Sequence, residues 1–506
     1  MKRFLVATLV LCLITGIGSF AVATDNDSED ITIELFYSPW ASTPTDYDPY
    51  EEYLENKYNC DFVLSPTTDF DTQLLTRATA DDMPDLILFD DATTLMTLYN
   101  QGVLLDDWTP YLEEMTQTTA NMSDLSRTFF TVDGKIVACP GIAGDQKWSF
   151  CVRKDWLGNL GLSTPTNDSE FLDMLRAFTY NDPDGNGEDD TYGITSAGGN
   201  SSVGELRNLL LLYDAPDFYI TDDGAVTNYI YDGNFLSYLQ LARTIVSEGL
   251  IDPDWYTQGW DERKPNLYAG KFGVCWYPAS ALLTETNEAY NDNGATAISM
   301  WDILPMYSGK LKPDPIYGAI RTVSAAAAAD EKKMEIIVDF LENGAYPNEE
   351  FFKFYGYEID TLDVLTVYDD GTVFLGTSDA EKTATQRAMV SGSIVYGWIQ
   401  MLQAQGQSLI VSLTSDAPTD LNLASSSMIS EWYKIDKYNA DYKLLNPDPT
   451  LYEESEQYIA EFEIDFILGN KTEDDYDQFV STWKELYGDA LLQDAVDTFT
   501  SYGLLD

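Results

Sequence analysis

The stretch Ile31-Thr-Ile-Glu-Leu-Phe-Tyr37 (ITIELFY) decides the fold class, because its apolar side chains alternate with Thr32 and Glu34 as on a half-buried strand. Helix and strand patterns then follow in turn: a helix at about 48–58, the strand DFVL at 61–64, a helix near 70–79 and the strand PDLILFD at 84–90. This alternation predicts an α/β fold with a parallel sheet covered by helices. In such sheets ligands bind beyond the carboxyl ends of the strands, which here lead to Trp40 and Asp90.

A second α/β unit begins after Cys139. Its predicted elements are strands at 148–152 and 272–276, a short helix at 153–161 closed by glycine, a helix that Asn167 caps, a hairpin turn at 222–224 and a helix at 234–248. A further sheet segment from Ile303 and a helix to Leu341 follow. At 506 residues the chain exceeds the usual size of one hydrophobic core, so we expect two lobes.

The composition excludes several classes of function. The chain has no histidine, which removes Ser-His-Asp and Cys-His nucleophile systems and His-ligated zinc. It also has no Walker-type loop for nucleotide hydrolysis. With 85 acidic and 28 basic residues the formal net charge is −57, which argues against nucleic acid or an anionic membrane surface as partner.

The first residues have the pattern of a secretory signal peptide, with a basic start, an apolar run and Ala21-Val-Ala23 before a polar stretch. We expect cleavage after Ala23, which removes Lys2 and Arg3 and takes the charge from −57 to −59. Cys12 follows Leu11, where a lipid-attachment signal has a small residue. The sequence thus predicts secretion to the extracellular cell surface with no lipobox, and an uncleaved anchor is the alternative.

Four cysteines remain after that cleavage. Cys60, Cys139, Cys151 and Cys275 can pair in three ways, and an exported protein is permitted disulfides. Three of the four lie in apolar, strand-like runs, where a buried thiol behaves as a small hydrophobe. We therefore expect mostly free thiols.

The stretch NDPDGNGEDDTYG (181–193) has the spacing of a calcium loop. Its candidate ligands are Asp182, Asp184, Asn186, the carbonyl of Glu188 and Asp190. Gly193 stands where an EF-hand has its bidentate glutamate, so the second half of the pattern is broken. The alternative is a surface turn without metal. Since no paired loop is found, we expect Ca²⁺ to be structural and not a signal.

Seven stretches occur in the order typical of one family. They are MPDLILFDD (83–91), QGVLLDDWTPYLEE (101–114), VRKDWLGNLGLSTPT (152–166), AFTYNDPDGNGEDDTYGI (177–194), EGLIDPDWY (248–256), LYAGKFGVCW (267–276) and FYGYEID (354–360). In them the chain resembles the carbohydrate-type extracellular solute-binding proteins of bacterial ABC importers, in the long form of Gram-positive bacteria. The resemblance implies a two-lobed, type II periplasmic-binding-protein-like fold that closes over a ligand, with a calcium loop in some members. The chain differs from the family's commonest pattern in lacking a lipid-attachment cysteine.

The resemblance implies that the chain consists of a signal peptide and the segments of two lobes. We expect a signal peptide at 1–23, an N-terminal lobe at 24–142, a C-terminal lobe at 143–302, a return to the N-terminal lobe at 303–350 and a mainly helical part of the C-terminal lobe at 351–506. The ligand cleft is expected between the lobes.

A sugar site combines aromatic platforms with a few polar groups, because sugars offer both hydroxyls and flat apolar ring faces. Candidates stand where strands or crossings end: Trp40, Asp90, Asp145, Trp148, Trp276, Tyr277, Tyr317 and Trp398. For each aromatic residue the alternative is a place in the core, and Asp90 can instead cap a helix.

The sequence therefore predicts a monomer that captures a sugar or oligosaccharide and delivers it to the transmembrane subunits of an ABC permease. The acidic surface disfavours anionic oligosaccharides, so we expect a neutral ligand. Two alternatives come from other classes: a secreted polysaccharide-binding adhesin, and a glycoside hydrolase with a carboxylate pair, which needs no histidine.

Overall fold

A computed structural model describes residues 31–38, 49–89, 92–140, 148–215, 217–221, 223–290, 297–311, 320–343, 365–367, 373–375, 410–411, 428, 431–432, 435 and 449–505. Its strands are β1 (Thr32–Tyr37), β2 (Asp61–Pro66), β3 (Leu86–Phe89), β4 (Thr131–Val132), β5 (Lys135–Ile136), β6 (Cys139–Pro140), β7 (Trp148–Arg153), β8 (Tyr192–Ile194), β9 (Phe218–Ile220), β10 (Val226–Asn228), β11 (Phe272–Pro278), β12 (Trp301–Leu304), β13 (Ile320–Val323), β14 (Leu365–Val367), β15 (Val373–Leu375) and β16 (Ile410–Val411).

The helices cover the sheets and form most of the end of the chain. They are α1 (Pro49–Tyr58), α2 (Phe70–Thr79), α3 (Ala92–Asn100), α4 (Thr109–Leu112), α5 (Thr116–Asn121), α6 (Asp124–Phe129), α7 (Lys154–Leu160), α8 (Asp168–Tyr180), α9 (Asn234–Ser247), α10 (Lys264–Tyr268), α11 (Ala279–Tyr290), α12 (Ala297–Met300), α13 (Ala325–Ala328), α14 (Glu331–Asn343), α15 (Pro449–Ile467), α16 (Glu473–Trp483) and α17 (Asp489–Ser501). A 3₁₀ helix spans Gly204–Tyr213. None of the described helices is both long and apolar enough to span a membrane.

The first sheet has the strand order β2-β1-β3-β13-β6. Strands β1, β2 and β3 are parallel, as the alternating pattern predicts, with Leu35 opposite Leu64 on one side and Leu86 on the other. Strand β13 pairs antiparallel with β3 and β6. The first hydrophobic core lies on this sheet and includes the fully buried Ile33 and Ile87. In the sequence, Trp40 and Asp90 follow β1 and β3, and both lie outside the described residues.

The second sheet has the order β12-β7-β11-β8, and only β11 and β8 run parallel. Successive side chains of a strand face opposite sides, so Val274 and Trp276 enter one core while Cys275 and Tyr277 enter another. The sequence places the return to the first sheet at 303. The structure keeps Ile303 in the second sheet, because β12 pairs with β7, and the crossing comes after it.

Local sequence signals explain where two helices of this part begin and end. The Asn167 side chain accepts a hydrogen bond from the Glu170 amide at the start of α8, as the capping pattern predicts. Gly161 ends α7 in the left-handed region at φ 66°. These two turns place α8 against β8, directly before the predicted calcium loop.

The C-terminal part contains both helices and strands. Helices α15 and α16 pack on the second core through Phe462 and Phe479, whose rings stack at 4.1 Å. Strands β14, β15 and β16 form a small sheet within 351–506, where the sequence predicts mainly helix. Their runs Leu-Thr-Val and Val-Phe-Leu are rich in β-formers but too short to show a period.

The four cysteines are free thiols, as expected. Burial raises the pKa of the Cys60 thiol to about 11 and that of Cys275 to about 12. Burial likewise raises the pKa of Cys139 and Cys151. Thiols of this kind are poor nucleophiles, because the reactive thiolate is disfavoured.

Gly193 shows why the predicted calcium loop cannot have a glutamate at its last position. A Cβ atom at this position would lie 2.9 Å from both the Cα and the carbonyl oxygen of Leu175, because β8 presses directly on α8. No side chain, and least of all a glutamate, can stand there without moving the helix backbone. The missing ligand is therefore a consequence of packing.

We predict that Gly193→Ala lowers the free energy of unfolding by about 2 kcal/mol, since overpacking in a core typically costs about 1–3 kcal/mol. Urea unfolding measures this change. Gly158→Ala is the matched control, because its added Cβ atom meets nothing within 4 Å and Ala is the better helix former. Equal stability of the two variants would contradict the packing argument.

Candidate functional site

Polar and aromatic side chains gather at one edge of the second sheet. Strands β8 and β11 end at this edge, and β7 begins there, because Trp148 pairs with Pro278. Since β8 and β11 are parallel, this is the edge at which ligands bind in open sheets. The sequence directs attention to the same edge through Trp148 and Tyr277.

An aromatic group occupies this edge. Trp148 is 37% exposed, and its ring centroid lies 5.4 Å from that of the half-buried Trp260. Tyr277 stacks on Trp260 at 4.7 Å with an interplanar angle of 25°. The three rings form a stepped surface from solvent to core, which we call the aromatic edge (Trp148, Trp260 and Tyr277).

One face of Trp260 is supported from beneath. The Arg263 guanidinium lies 4.0 Å from the Trp260 ring centroid and 5.5 Å from that of Tyr277. If Arg263 and Tyr277 covered opposite faces of Trp260, they would be much farther apart than 5.5 Å. The two groups therefore do not lie on opposite faces of the indole.

Arg263 is itself held from several sides. Its side chain is fully buried, Nη2 donates to the carbonyl of Trp276 at 3.1 Å, and Nη1 lies 3.4 Å from Oε1 of Glu205. Glu205 in turn accepts hydrogen bonds from the Ala197 amide at 2.6 Å and the Ser196 hydroxyl at 3.1 Å. The cation beneath Trp260 is thus connected to the loop that follows β8.

Glu285 on α11 holds Tyr277. Its Oε2 accepts hydrogen bonds at 2.5 Å from the hydroxyls of both Tyr277 and Tyr268. Burial and this carboxylate raise the pKa of Tyr277 far above its usual value, and the same two causes raise that of Tyr268. Both tyrosines therefore stay protonated as donors, and the ring under Trp260 is held in place.

A buried polar network supports the loops beside the aromatic edge. The Asp252 carboxylate accepts from the Thr195 hydroxyl at 2.6 Å and from the Gln258 amide at 3.0 Å. Gln258 also donates to the Ser196 carbonyl at 2.8 Å. Burial raises the pKa of Asp252, and the hydrogen bonds from Thr195, Gln258 and the Asp254 amide oppose that rise. The network fixes the end of β8 against the segment that leads to Trp260.

Trp276 has a different environment from its neighbour Tyr277. It is 6% exposed and packs edge-to-face on Phe150 at 5.1 Å. With Leu211 and Met306 it lines a small, mainly aliphatic depression. Trp276 lies on the opposite side of β11 from Tyr277, and its part in ligand binding stays a prediction.

The remaining predicted ligand residues, Trp40, Asp90, Asp145, Tyr317 and Trp398, lie outside the described residues. Sequence reasoning missed Trp260, Arg263 and Glu285. The sequence did carry a signal for Trp260. This tryptophan lies in the polar stretch Gly-Trp-Asp-Glu-Arg, which lacks the apolar pattern of a buried strand or helix, so a place in the core does not explain the indole. No local pattern marks Glu285, which lies on a helix and meets Tyr277 only through the fold.

The predicted calcium loop is tightly turned. Asp182, Gly185 and Gly187 have φ angles of 46°, 72° and 84°. Asp182 Oδ2 accepts from the Gly187 amide at 3.1 Å, whereas its Oδ1 is buried and has no hydrogen-bond partner. An unpartnered buried carboxylate oxygen is costly, so this atom indicates a missing positive partner.

Other donors partly fill the centre of the loop. The Asn186 amide nitrogen lies 3.1 Å from Asp184 Oδ2 and 3.2 Å from Asp190 Oδ1. Burial, together with the neighbouring carboxylates, raises the pKa of Asp184. Within the described ranges no three Cys, Asp or Glu side chains converge as an ion-binding group. The donor types and the orphaned Asp182 oxygen nevertheless fit Ca²⁺, which takes hard oxygen ligands.

Comparisons with known proteins agree with this architecture. The family model described as bacterial extracellular solute-binding protein matches residues 40–345. Among curated relatives, Lipoprotein LipO of Bacillus subtilis is 22% identical over 511 residues and covers 97% of each chain. The fructooligosaccharide ABC transporter substrate-binding protein FusA of Streptococcus pneumoniae is 28% identical over 248 residues, which are 45% of this chain and 44% of FusA.

A solved structure of an EF-hand mutant of S. pneumoniae FusA, in complex with fructo-nystose, superposes with a TM-score of 0.65. The two chains are 17% identical, and the match covers 93% of this chain and 98% of that one. This likeness shows the fold of the solute-binding proteins and confirms the expected fold class.

Proposed function

The chain belongs to the bacterial extracellular solute-binding proteins, and on that premise we propose that it captures a sugar or oligosaccharide outside the cell and delivers it to the transmembrane subunits of an ABC permease. The observation that carries this proposal is the aromatic edge, where Trp260 is braced by Tyr277 and Arg263. A half-buried indole that neighbouring groups hold in place suits the apolar face of a sugar ring, and an aromatic platform loses little entropy on binding.

The ligand lies between the lobes in this proposal. Trp148 and Trp260 contact it from the second sheet, and the buried Tyr277 supports Trp260. From the crossings and the other lobe, the predicted partners are Trp40, Asp90, Asp145, Tyr317 and Trp398. The lobe boundaries are those expected from the sequence, with the return crossing moved beyond Leu304.

We propose a neutral ligand. The net charge of −57 repels anions, and the two cations nearest Trp260 are already engaged. Arg263 is buried, and the Lys264 ammonium lies 2.9 Å from Asp261. Calorimetric titration with kestose, a neutral fructooligosaccharide, and with a galacturonic acid oligomer tests this choice. Binding of the acidic oligomer alone would refute it.

The chain is proposed to act as a secreted monomer that binds its ligand without catalysis. Mass spectrometry of the protein exported by its own cells tests cleavage after Ala23 and shows whether a lipid is attached. Release of reducing sugar from any bound oligosaccharide would establish a hydrolase instead. Undiminished uptake after deletion of the gene would favour an adhesin over the importer component.

Calcium is proposed as a structural ion held by Asp182, Asp184, Asn186, the Glu188 carbonyl and Asp190. It would supply the positive partner that Asp182 Oδ1 lacks. The loop joins α8 to β8, away from the aromatic edge, and Asn159 on α7 donates to the Pro183 carbonyl at 2.9 Å. Its ion would therefore fasten this corner of the second lobe.

We predict that chelation of calcium lowers the melting temperature by several degrees, because an ion that binds only the folded state stabilises it. Differential scanning calorimetry in calcium and in chelator measures the shift. Sugar affinity should change by less than about threefold, since the loop does not line the site. Loss of sugar binding at unchanged melting temperature would contradict a structural role.

A further inference from the structure

Lys271 connects the calcium loop to the second sheet. It directly precedes β11, where its amide donates to the Asn266 carbonyl at 3.1 Å and its carbonyl accepts from the Tyr192 amide at 2.9 Å. Its ammonium nitrogen lies 3.1 Å from Oδ2 of Asp190, the residue at position 9 of the loop. A cation on a fixed piece of backbone thus engages a predicted calcium ligand.

We propose that Lys271 is a built-in competitor of calcium, which lowers the affinity of the loop for the ion and stabilises the loop when the ion is absent. The inference rests on the proposed calcium site. Lys271 lies outside the stretch 181–193, so it is not among the residues that the calcium-loop pattern predicts.

The competition follows from charge and donor chemistry. An ammonium group has three donors and no acceptor, so Lys271 cannot ligate Ca²⁺. It holds one oxygen of Asp190 and offsets one of the three carboxylate charges at Asp182, Asp184 and Asp190. Calcium affinity in such loops depends on the count of ligand charges, and an ammonium within a few ångströms repels a divalent ion. We estimate that Lys271 weakens calcium binding about tenfold.

The same contact has the opposite effect without calcium. Three carboxylates within one short turn repel one another. Lys271 relieves part of this repulsion, because its ammonium nitrogen lies 3.1 Å from Asp190 Oδ2. Removal of the lysine should therefore destabilise the calcium-free protein and strengthen calcium binding.

Lys271→Met tests the proposal, with Ca²⁺ alone as the probe on chelator-stripped protein. Calorimetric titration gives the calcium affinity, and melting temperatures are recorded with chelator and with saturating calcium. We expect about tenfold tighter binding, a lower melting temperature in chelator and a larger stabilisation by calcium. Lys271→Gln, which also removes the charge, should behave in the same way and guards against a folding defect of the methionine variant.

Lys135→Met is the matched control. It removes the same charge and a similar ion pair, since the Lys135 ammonium lies 2.5 Å from Asp106, but on β5 and not at the loop. Its calcium affinity should equal that of the wild type. If the wild type binds calcium and neither Lys271 variant binds it more tightly, the competitor role is wrong and the calcium site stands. If no variant binds calcium, the site itself is refuted together with the inference.

Discussion

Replacement of Trp260 by alanine is expected to weaken carbohydrate binding by about 30-fold or more, because a central aromatic anchor contributes about 2 kcal/mol or more and each 1.4 kcal/mol is tenfold. Trp260 is the ring that Tyr277 and Arg263 brace at 4.7 and 4.0 Å. Its loss removes the platform and uncovers the guanidinium. Trp148→Ala, at the more exposed end of the aromatic edge, should cost less, about tenfold.

Calorimetric titration with an oligosaccharide that the wild type binds measures both effects. Tyr180→Ala is the control, because Tyr180 is 58% exposed on α8 and does not belong to the aromatic edge. Its affinity should remain that of the wild type. Wild-type affinity of a folded Trp260→Ala protein, verified by circular dichroism, would remove the aromatic edge from the site.

The second large effect concerns the attachment of the C-terminal helices. Glu463 on α15 is 2% exposed, and its Oε2 lies 2.7 Å from Nη2 of Arg207 on the 3₁₀ helix. It also accepts from the buried Tyr238 hydroxyl at 2.7 Å, while Arg207 reaches Glu456 at 2.8 Å. Removal of one partner of a buried pair leaves an uncompensated charge, which typically costs about 3–5 kcal/mol.

We therefore predict that Arg207→Met, which leaves the buried Glu463 carboxylate without its cation, lowers the free energy of unfolding by about 3–5 kcal/mol, as measured by urea unfolding. Glu463→Gln should cost less, because Glu456 still pairs with Arg207. The double variant Arg207→Met/Glu463→Leu should recover a large part of the loss, because it leaves no buried charge without its partner. Arg176→Met is the control, since Arg176 pairs with Glu248 at an exposed site worth about 0–1 kcal/mol. A loss no larger than that of the control would show that Arg207 and Glu463 do not fasten the helices.

The sequence predicted β1, β2, β3, β7 and β11, because their signals are local, but it did not predict β8. The alternation in ITIELFY gives β1, and the Asn167 cap gives the start of α8. The directions in which the strands of the second sheet run could not be predicted from local signals. The pairing of β12 with β7 depends on contacts between residues far apart in the chain, which leave no periodic pattern.

For the candidate site, the sequence named the region but not its construction. Trp148 and Tyr277 were predicted, since aromatic residues at strand ends suit a sugar site. Trp276 and Tyr277 share one local sequence context, yet they face opposite sides of β11 and enter different cores, because successive side chains alternate. The bracing groups Arg263 and Glu285 meet Trp260 and Tyr277 only after α10 and α11 have packed.

The central claim, capture of a neutral carbohydrate at the aromatic edge, is tested most directly by calorimetric titration of the mature protein against a panel of neutral and uronic acid oligosaccharides. The account predicts that a neutral oligosaccharide binds with a stoichiometry of one and is recovered intact. It also predicts that this heat of binding is lost in Trp260→Ala. Absence of binding to every neutral oligosaccharide, or full binding by the folded Trp260→Ala protein, would contradict it.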